Sequence, residues 1–263
     1  MTTSPLPPDG VCAIILAAGE GSRMKSDIPK PLHEVCGTSM VMHVVQSLES
    51  IPLVATVVVV GHRASEVIAH VQQHAPNWAR IRFATQHEQN GTGDAAAVGL
   101  TGLTADDFAN ATAVLVMPGD TPLLTLHTIN RLLTEHTATK NAATVLAAVL
   151  DDPTGYGRIV RDTDGNVVRI VEHRDASPDE LNIREINTGI YLFELDVFGP
   201  ALRQIGTNNS QSEYYLTDVV AVLASTGHCV GSVIAPASET AGVNDPQQLA
   251  EAEQEMLRRN AAL

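Results

Sequence analysis

The stretch Val11 to Leu32, VCAIILAAGEGSRMKSDIPKPL, constrains this chain more than any other: an apolar run stops at a glycine-rich, basic loop that closes on a proline-flanked lysine. Val11 to Leu16 are all apolar, and a short apolar run ending in glycines reads as a buried parallel strand that feeds a phosphate loop. Ala17, Ala18, Gly19 and Gly21 leave successive main-chain N–H groups uncovered, which can form a concavity for an anion. Arg23, Lys25 and Lys30 then gather three of the chain's 16 basic residues in one short loop. Arg grips phosphate oxygens with a planar fork, whereas Lys acts as a compact charge.

Two familiar glycine-loop chemistries are excluded. The P-loop string G-x-x-x-x-G-K-[ST] does not occur. The dinucleotide fingerprint needs a third glycine where this chain has Met24, and an acid after the second strand. That strand, about Ala55 to Val60, instead runs into Gly61-His62-Arg63.

A chain of 263 residues can bury one large core, and one α/β domain with an inserted subregion is expected. Aromatic residues make up only 3% of it, so Ala, Val, Leu and Ile must build the core, as suits parallel strands under helices. The formal net charge of -14 argues against nonspecific binding to nucleic acid or an anionic membrane, yet leaves a phosphate ligand open at the locally basic loop. Cys12, Cys36 and Cys229 form no C-x-x-C pair, so reduced thiols in a cytoplasm are expected in place of disulfides or zinc. Residues 1–10, MTTSPLPPDG, read as a flexible tail, and no run approaches the roughly 18 apolar residues of a membrane helix.

The rhythm along the chain is strand, helix, strand, helix, which implies a mostly parallel sheet with right-handed crossovers. Thr38 or Ser39 can cap a helix carrying Met40, Val44, Val45 and Leu48 on one face. A strand over 54–60, a helix over 64–74 and a strand at Ile81 to Ala84 follow. Asn90-Gly91-Thr92-Gly93 stands between that strand and a helix of alanines. Its glycines bare backbone groups, and Gln86 offers an amide that both donates and accepts, which suits the edge of a planar base; a tight turn with a cap at Thr92 is the plainer alternative. The strand Thr112 to Met117 ends in Pro118-Gly119-Asp120, placing a carboxylate at the strand end where open α/β sheets bind ligands. Asp120 is therefore either a candidate Mg²⁺ ligand or a turn residue.

A helix over 125–136 and a strand over 143–150 close the first half, and the rhythm then changes. A β-hairpin, Gly157 to Arg161 against Val167 to Glu172, turns at Asp164-Gly165, and Glu185 to Phe193 reads as a strand. Gly157, Glu172 and Asn187 could face a polyhydroxyl ligand from such a hairpin or belong to an ordinary surface. Ser212 to Leu223 is expected to be helical with Tyr214 and Tyr215 near its start, followed by a strand over 229–234. Asn244 reads locally as a cap or turn residue before a last helix at about Gln247 to Arg259.

LAAGEGSRM with a lysine in PK, then QNGTGDA, PGD, GYGR, VEH, EINTG, EYYLTD and GVN resemble the sugar-1-phosphate nucleotidyltransferases in kind and order. Within them the likeness is to the uridyltransferase half of bifunctional N-acetylglucosamine-1-phosphate uridyltransferases/glucosamine-1-phosphate acetyltransferases, over roughly residues 11–262. The resemblance implies an α/β, Rossmann-like fold of the nucleotide-diphospho-sugar transferase kind: a mixed, mostly parallel sheet flanked by helices, with an inserted β-hairpin subregion. It divides the chain into a nucleotide half (11–150), a sugar-side half (151–246) and a C-terminal helix (247–263).

The implied reaction is UTP plus N-acetylglucosamine 1-phosphate giving UDP-N-acetylglucosamine and pyrophosphate, with Mg²⁺ as cofactor, for cell-envelope precursors. By matching motif, Arg23 and Lys30 would stabilise the phosphates, while Leu16, Ala17, Ala18, Gly19, Gln86, Gly91 and Thr92 would hold uridine. Asp120 and Asn244 would ligate Mg²⁺, and Gly157, Glu172, Asn187 and Thr188 would hold the sugar. Pro118 and Asp245 depart from the common pattern, Asp245 adding a charge beside the expected metal. The hexapeptide repeats of a left-handed β-helix do not follow before Leu263, so acetyl transfer is not expected of this chain, and its oligomeric state stays open. Two alternatives remain: a related enzyme using glucose 1-phosphate or TTP, and a nucleotide-sugar sensor without turnover.

Overall fold

The structure, a computed structural model, describes residues 10–261. The tail expected over residues 1–10 lies outside them except for Gly10, whose carbonyl accepts the Thr112 amide at 3.0 Å. In chain order the strands are β1 (Val11–Ala17), the short pair β2 (Glu34–Val35) and β3 (Thr38–Ser39), β4 (Leu53–Val60), β5 (Ile81–Thr85), β6 (Ala113–Pro118), β7 (Ala143–Val149), β8 (Arg158–Arg161), β9 (Val167–Val171), β10 (Glu185–Glu194) and β11 (Val230–Ile234). The helices are α1 (Met40–Gln46), α2 (Ala64–His74), α3 (Thr92–Thr101), α4 (Ala105–Asn110), α5 (Leu126–Thr139), α6 (Pro178–Leu181), α7 (Leu195–Leu202), α8 (Asp218–Ser225), α9 (Ala237–Thr240) and α10 (Pro246–Asn260). None of them is long and apolar enough to cross a membrane.

The main sheet runs in the order β11-β7-β10-β6-β1-β4-β5, with the β8–β9 hairpin attached to β10 through β8. β1 pairs in parallel with both β4 and β6, β4 with β5, and β7 with β11. Its strands read as continuous apolar runs because both faces are covered. Cys12, Ile14, Val57, Val59, Val114 and Val116 face α3, α7 and α8, whereas Ala13, Ile15, Val58, Val60, Leu115 and Met117 face α1, α2 and α5. Aliphatic residues dominate both layers, with one aromatic stack, Tyr191–Phe193–Phe198, at centroid spacings of 5.4 and 4.2 Å.

The strand expected over Glu185 to Phe193 is β10, which lies between β6 and β7 and is antiparallel to both, so a strand from the chain's later segment completes the interior of the sheet. Two local expectations are corrected. First, the helix expected from Ser212 starts only at Asp218. Tyr214 precedes it, because its N–H is taken by the Asn90 carbonyl and its carbonyl by the Gly93 N–H, both at 2.8 Å. Second, Ser39 occupies the position before α1 without capping it; its hydroxyl pairs with His70 Nε2 at 2.8 Å.

His136 on α5 supplies a pH-dependent part of the stability. It is 5% exposed and its Nδ1 meets Thr144 Oγ1 at 2.9 Å. Burial holds its pKa down at about 4. Because the unfolded imidazole titrates near 6.5, the unfolded chain binds the extra proton first, so this contribution is complete above pH 6.5 and fades as pH falls toward 4. Denaturant titrations at pH 7.5 and 5 should differ by about 2 kcal/mol more in wild type than in His136→Gln. Equal pH slopes in the two proteins would contradict this.

Candidate active site

One cleft of about 620 Å³ opens beside the carboxyl ends of β1 and β6, and every residue expected in the site lines it. Its floor is set by the end of β1. The Leu16 carbonyl accepts the Gly119 N–H at 2.9 Å and the Ala18 carbonyl accepts the His62 N–H at 3.1 Å, so the β1, β4 and β6 exits are tied together. Ala17 and Ala18 are buried at this junction, while Gly19 opens the loop. Ser22–Met24 form one turn of 3-10 helix that buries Met24 and leaves Arg23 exposed, facing the cleft; Lys25 is also exposed and does not line it.

Four side chains meet at one end of the cleft. Lys30 Nζ forms an ion pair with Asp120 Oδ2 and donates to Asn244 Oδ1 at 2.8 Å; Arg23 Nη2 donates to the same Asn244 oxygen at 3.0 Å. The two oxygen-bearing segments are joined by the backbone, since the Val243 N–H donates to the Asp120 carbonyl at 2.9 Å. Asn244 has its side chain available for this because Asp245 caps α10, accepting the Gln248 N–H at 2.9 Å. The carboxylate that looked like an added charge beside the metal is thus engaged at the helix start. A carboxylate and an amide oxygen converging on one cation suit Mg²⁺, which takes one or two protein oxygens and completes its shell with phosphate and water. Among the described residues no group of three or more His, Cys, Asp or Glu side chains is arranged to hold a metal, so a site built from protein carboxylates alone is not present there.

The Asn90–Gly93 turn forms a second wall. Gln86 is 4% exposed, and its Nε2 donates to the Gly91 carbonyl at 3.2 Å and to Asp94 Oδ2 at 2.7 Å. Both amide protons are therefore committed, leaving the Gln86 carbonyl oxygen to meet a donor on a ligand. Thr92 begins α3, and its hydroxyl accepts the Leu216 N–H at 3.0 Å. Gly91 has φ 107°, and a Cβ there would lie 2.5 Å from the Tyr214 carbonyl oxygen. Gly91→Ala should consequently lower stability by about 1–3 kcal/mol in urea denaturation, through backbone strain and loss of the Tyr214 contact. A wild-type midpoint would show that the turn tolerates a side chain.

The third wall comes from the hairpin and β10. A Cβ on Gly157 would lie 3.6 Å from both Asn187 Cβ and Glu172 Oε1, so these three residues are neighbours. A bulge in β10, where pairing with β7 jumps between Asn187 and Ile190, pushes Thr188 and Gly189 out of the ladder. Gly189 supports it at φ 81°. Asn187 Nδ2 donates to the Tyr191 hydroxyl at 2.7 Å, and the Thr188 hydroxyl donates to the Leu146 carbonyl at 2.6 Å. Burial pushes the Glu172 carboxyl above its usual range, with Asp218 and Asp175 adding to the rise, while the Thr217 hydroxyl, donating at 3.1 Å, opposes it.

Several lining residues were not singled out in the sequence: Tyr156, Thr217 and Gln248 among them. Tyr156 and Thr217 lie inside the GYGR and EYYLTD motifs, which was a usable signal; Gln248 lies beyond GVN in an ordinary helical turn.

Comparison with known proteins gives the same outline. The pattern of the nucleotidyl transferase family matches residues 12–256. The bifunctional protein GlmU of an Exiguobacterium species is 46% identical over 248 residues, covering 94% of this chain and 53% of the relative. That of Streptomyces coelicolor is 48% identical over 241 residues, covering 91% and 49%. The chain thus spans about half the length of the curated relatives it matches. Among solved structures, a UDP-glucose pyrophosphorylase complexed with UDP-glucose superposes with TM-score 0.73 at 14% identity, covering 94% of this chain and 98% of that one. A protein described as a glucose-1-phosphate thymidylyltransferase from Bacillus anthracis gives 0.72 at 21%, covering 93% and 94%. These two likenesses establish the fold, and with the family pattern running from β1 into α10 across every wall of the cleft, the chain belongs to the nucleotidyl transferase family.

Proposed function

We propose that this protein transfers a uridylyl group from UTP to N-acetylglucosamine 1-phosphate, yielding UDP-N-acetylglucosamine and pyrophosphate for cell-envelope precursors in the cytoplasm. One observation carries the proposal: Arg23, Lys30, Asp120 and Asn244 meet in one cleft, between a wall suited to a planar base and a wall suited to a polyhydroxyl ring. The likeness to proteins named GlmU supports it.

The acceptor is a phosphate monoester and already a nucleophile at neutral pH, so no general base is required. The protein's task is to align two anions in line and to offset charge at the transferring phosphoryl group. The end of β1 and its loop, Leu16 to Gly19, give backbone groups to the nucleotide, and the Gln86 carbonyl accepts an N–H from the base edge. Thr92 and Gly91 keep that turn in place through their fit to the Tyr214–Leu216 segment. Glu172, Asn187 and Gly157 receive the sugar, with Thr188 at the bulge fixing the Asn187 backbone. Asp120 and Asn244 would hold Mg²⁺, which supplies positive charge at the phosphates and orients them. Lys30 and Arg23 then turn to the phosphate oxygens.

Pyrophosphate release should be assayed with UTP and TTP, each against N-acetylglucosamine 1-phosphate and glucose 1-phosphate. The expected result is turnover highest with UTP and the N-acetylated sugar. Preference for TTP or glucose 1-phosphate would overturn the substrate assignment, and no release from any pair would overturn the activity.

A further inference from the structure

Asp94 stands in the first turn of α3, where the exposed N–H groups of the helix start favour a carboxylate. Gln86 lines the cleft and Asp94 does not; Asp94 Oδ2 accepts the Gln86 Nε2 from behind at 2.7 Å. The Gly91 carbonyl accepts from the same nitrogen at 3.2 Å. A carboxylate and a main-chain carbonyl can only accept, so the amide has one favoured orientation, with Nε2 inward and Oε1 toward the cleft. Turning it over would set Oε1 against two acceptors at a residue only 4% exposed, where unmade hydrogen bonds are costly. The bond to Asp94 is the stronger restraint of the two, being shorter and charge-assisted. Among the described residues no donor meets Gln86 Oε1, so its partner must come from a ligand. Uracil offers an N–H at ring position 3. Cytosine has a bare ring nitrogen there, an acceptor facing an acceptor, and would bind well only with the amide turned over.

We infer that Asp94 is a positioning residue for base choice: by holding the Gln86 amide in one orientation, it makes the cleft accept a pyrimidine with an N–H at position 3 and reject cytosine. The inference rests on the uridylyl-transfer proposal, which puts the base at Gln86, and deepens it by naming the side chain that excludes CTP. Uracil and thymine share the edge in question, so Asp94 does not separate them. A site that relies on one buried acceptor discriminates strongly against a base that lacks the matching donor.

Asp94→Asn tests this with little change of shape. An asparagine can accept from Nε2 or, turned, donate to Oε1, so the Gln86 amide gains its second orientation, opposed only by the Gly91 carbonyl. By calorimetry, wild type should bind Mg-UTP more tightly than Mg-CTP, and Asp94→Asn should narrow the ratio of the two Kd values about tenfold, chiefly through tighter CTP binding. Asp94→Ala, which leaves the amide to Gly91 alone, should narrow it in the same direction. An unchanged ratio in Asp94→Asn would overturn the inference. Equal weakening of both nucleotides would also overturn it, since Asp94 would then merely support the turn. Equal binding of UTP and CTP by wild type would overturn it as well. The titrations need no sugar phosphate, so a lack of turnover would defeat the uridylyl-transfer proposal while the UTP-to-CTP ratio still decides the role of Asp94.

Discussion

Asp120→Ala should lower kcat/KM on the order of 10³-fold, about 4 kcal/mol of transition-state stabilisation, with the fold intact. The carboxylate stands at the end of β6, held by the Gly119–Leu16 and Val243–Asp120 backbone bonds, so its removal does not loosen the scaffold. Among the described residues it pairs with Lys30, and the Asp120 and Lys30 side chains are 22% and 14% exposed, so only a modest change in thermal midpoint is expected. What disappears is the carboxylate oxygen that pairs with Lys30 beside Asn244, and with it the proposed anchor for Mg²⁺. Asp120→Asn keeps the shape and an oxygen donor; it should regain part of the activity at raised Mg²⁺ concentration. Steady-state rates over a Mg²⁺ series check both, and near wild-type rates in Asp120→Ala would remove Asp120 from the site.

Lys30→Ala should lower kcat on the order of 10²-fold through lost charge at the transferring phosphoryl group. The same variant should bind Mg²⁺ more tightly when nucleotide is absent. Lys30 Nζ bonds both oxygens expected to ligate the ion, and without it Asp120 and Asn244 are released from that competition. Calorimetric titration with Mg²⁺ alone reads the second effect independently of turnover. A slow enzyme with unchanged Mg²⁺ affinity would confine Lys30 to the phosphates. A fast enzyme would take it out of the chemistry.

Much of this site was legible where the signal is local. Six apolar residues before Ala17-Ala18-Gly19 read as a strand buried on both faces, and they form β1 inside the sheet, between β6 and β4. Asp120 was legible because a carboxylate directly after a buried strand lands at the sheet's binding edge. Asn244 was not legible from its neighbours, since GVNDP looks like a cap; Asp245 takes the cap and leaves Asn244 for Lys30 and Arg23. The insertion of β10 between β6 and β7 depends on pairing between residues far apart in sequence, to which periodicity is blind. The bulge at Thr188-Gly189 left only a glycine as its sign. Tyr214 sits in a helix-compatible pattern, and only the competing claim of Asn90 and Gly93 on its backbone removes it from the helix. Gln248 looked like any polar residue on a solvent-facing helix, because its orientation comes from one bond to Asn244.

The most direct test follows UTP, N-acetylglucosamine 1-phosphate and Mg²⁺ with the protein by ³¹P nuclear magnetic resonance. The account predicts that UDP-N-acetylglucosamine and pyrophosphate signals grow in equal amounts as both substrates vanish, and that they stay flat with Asp120→Ala. UTP left intact beside the sugar phosphate, or converted to UDP and free phosphate, would contradict it.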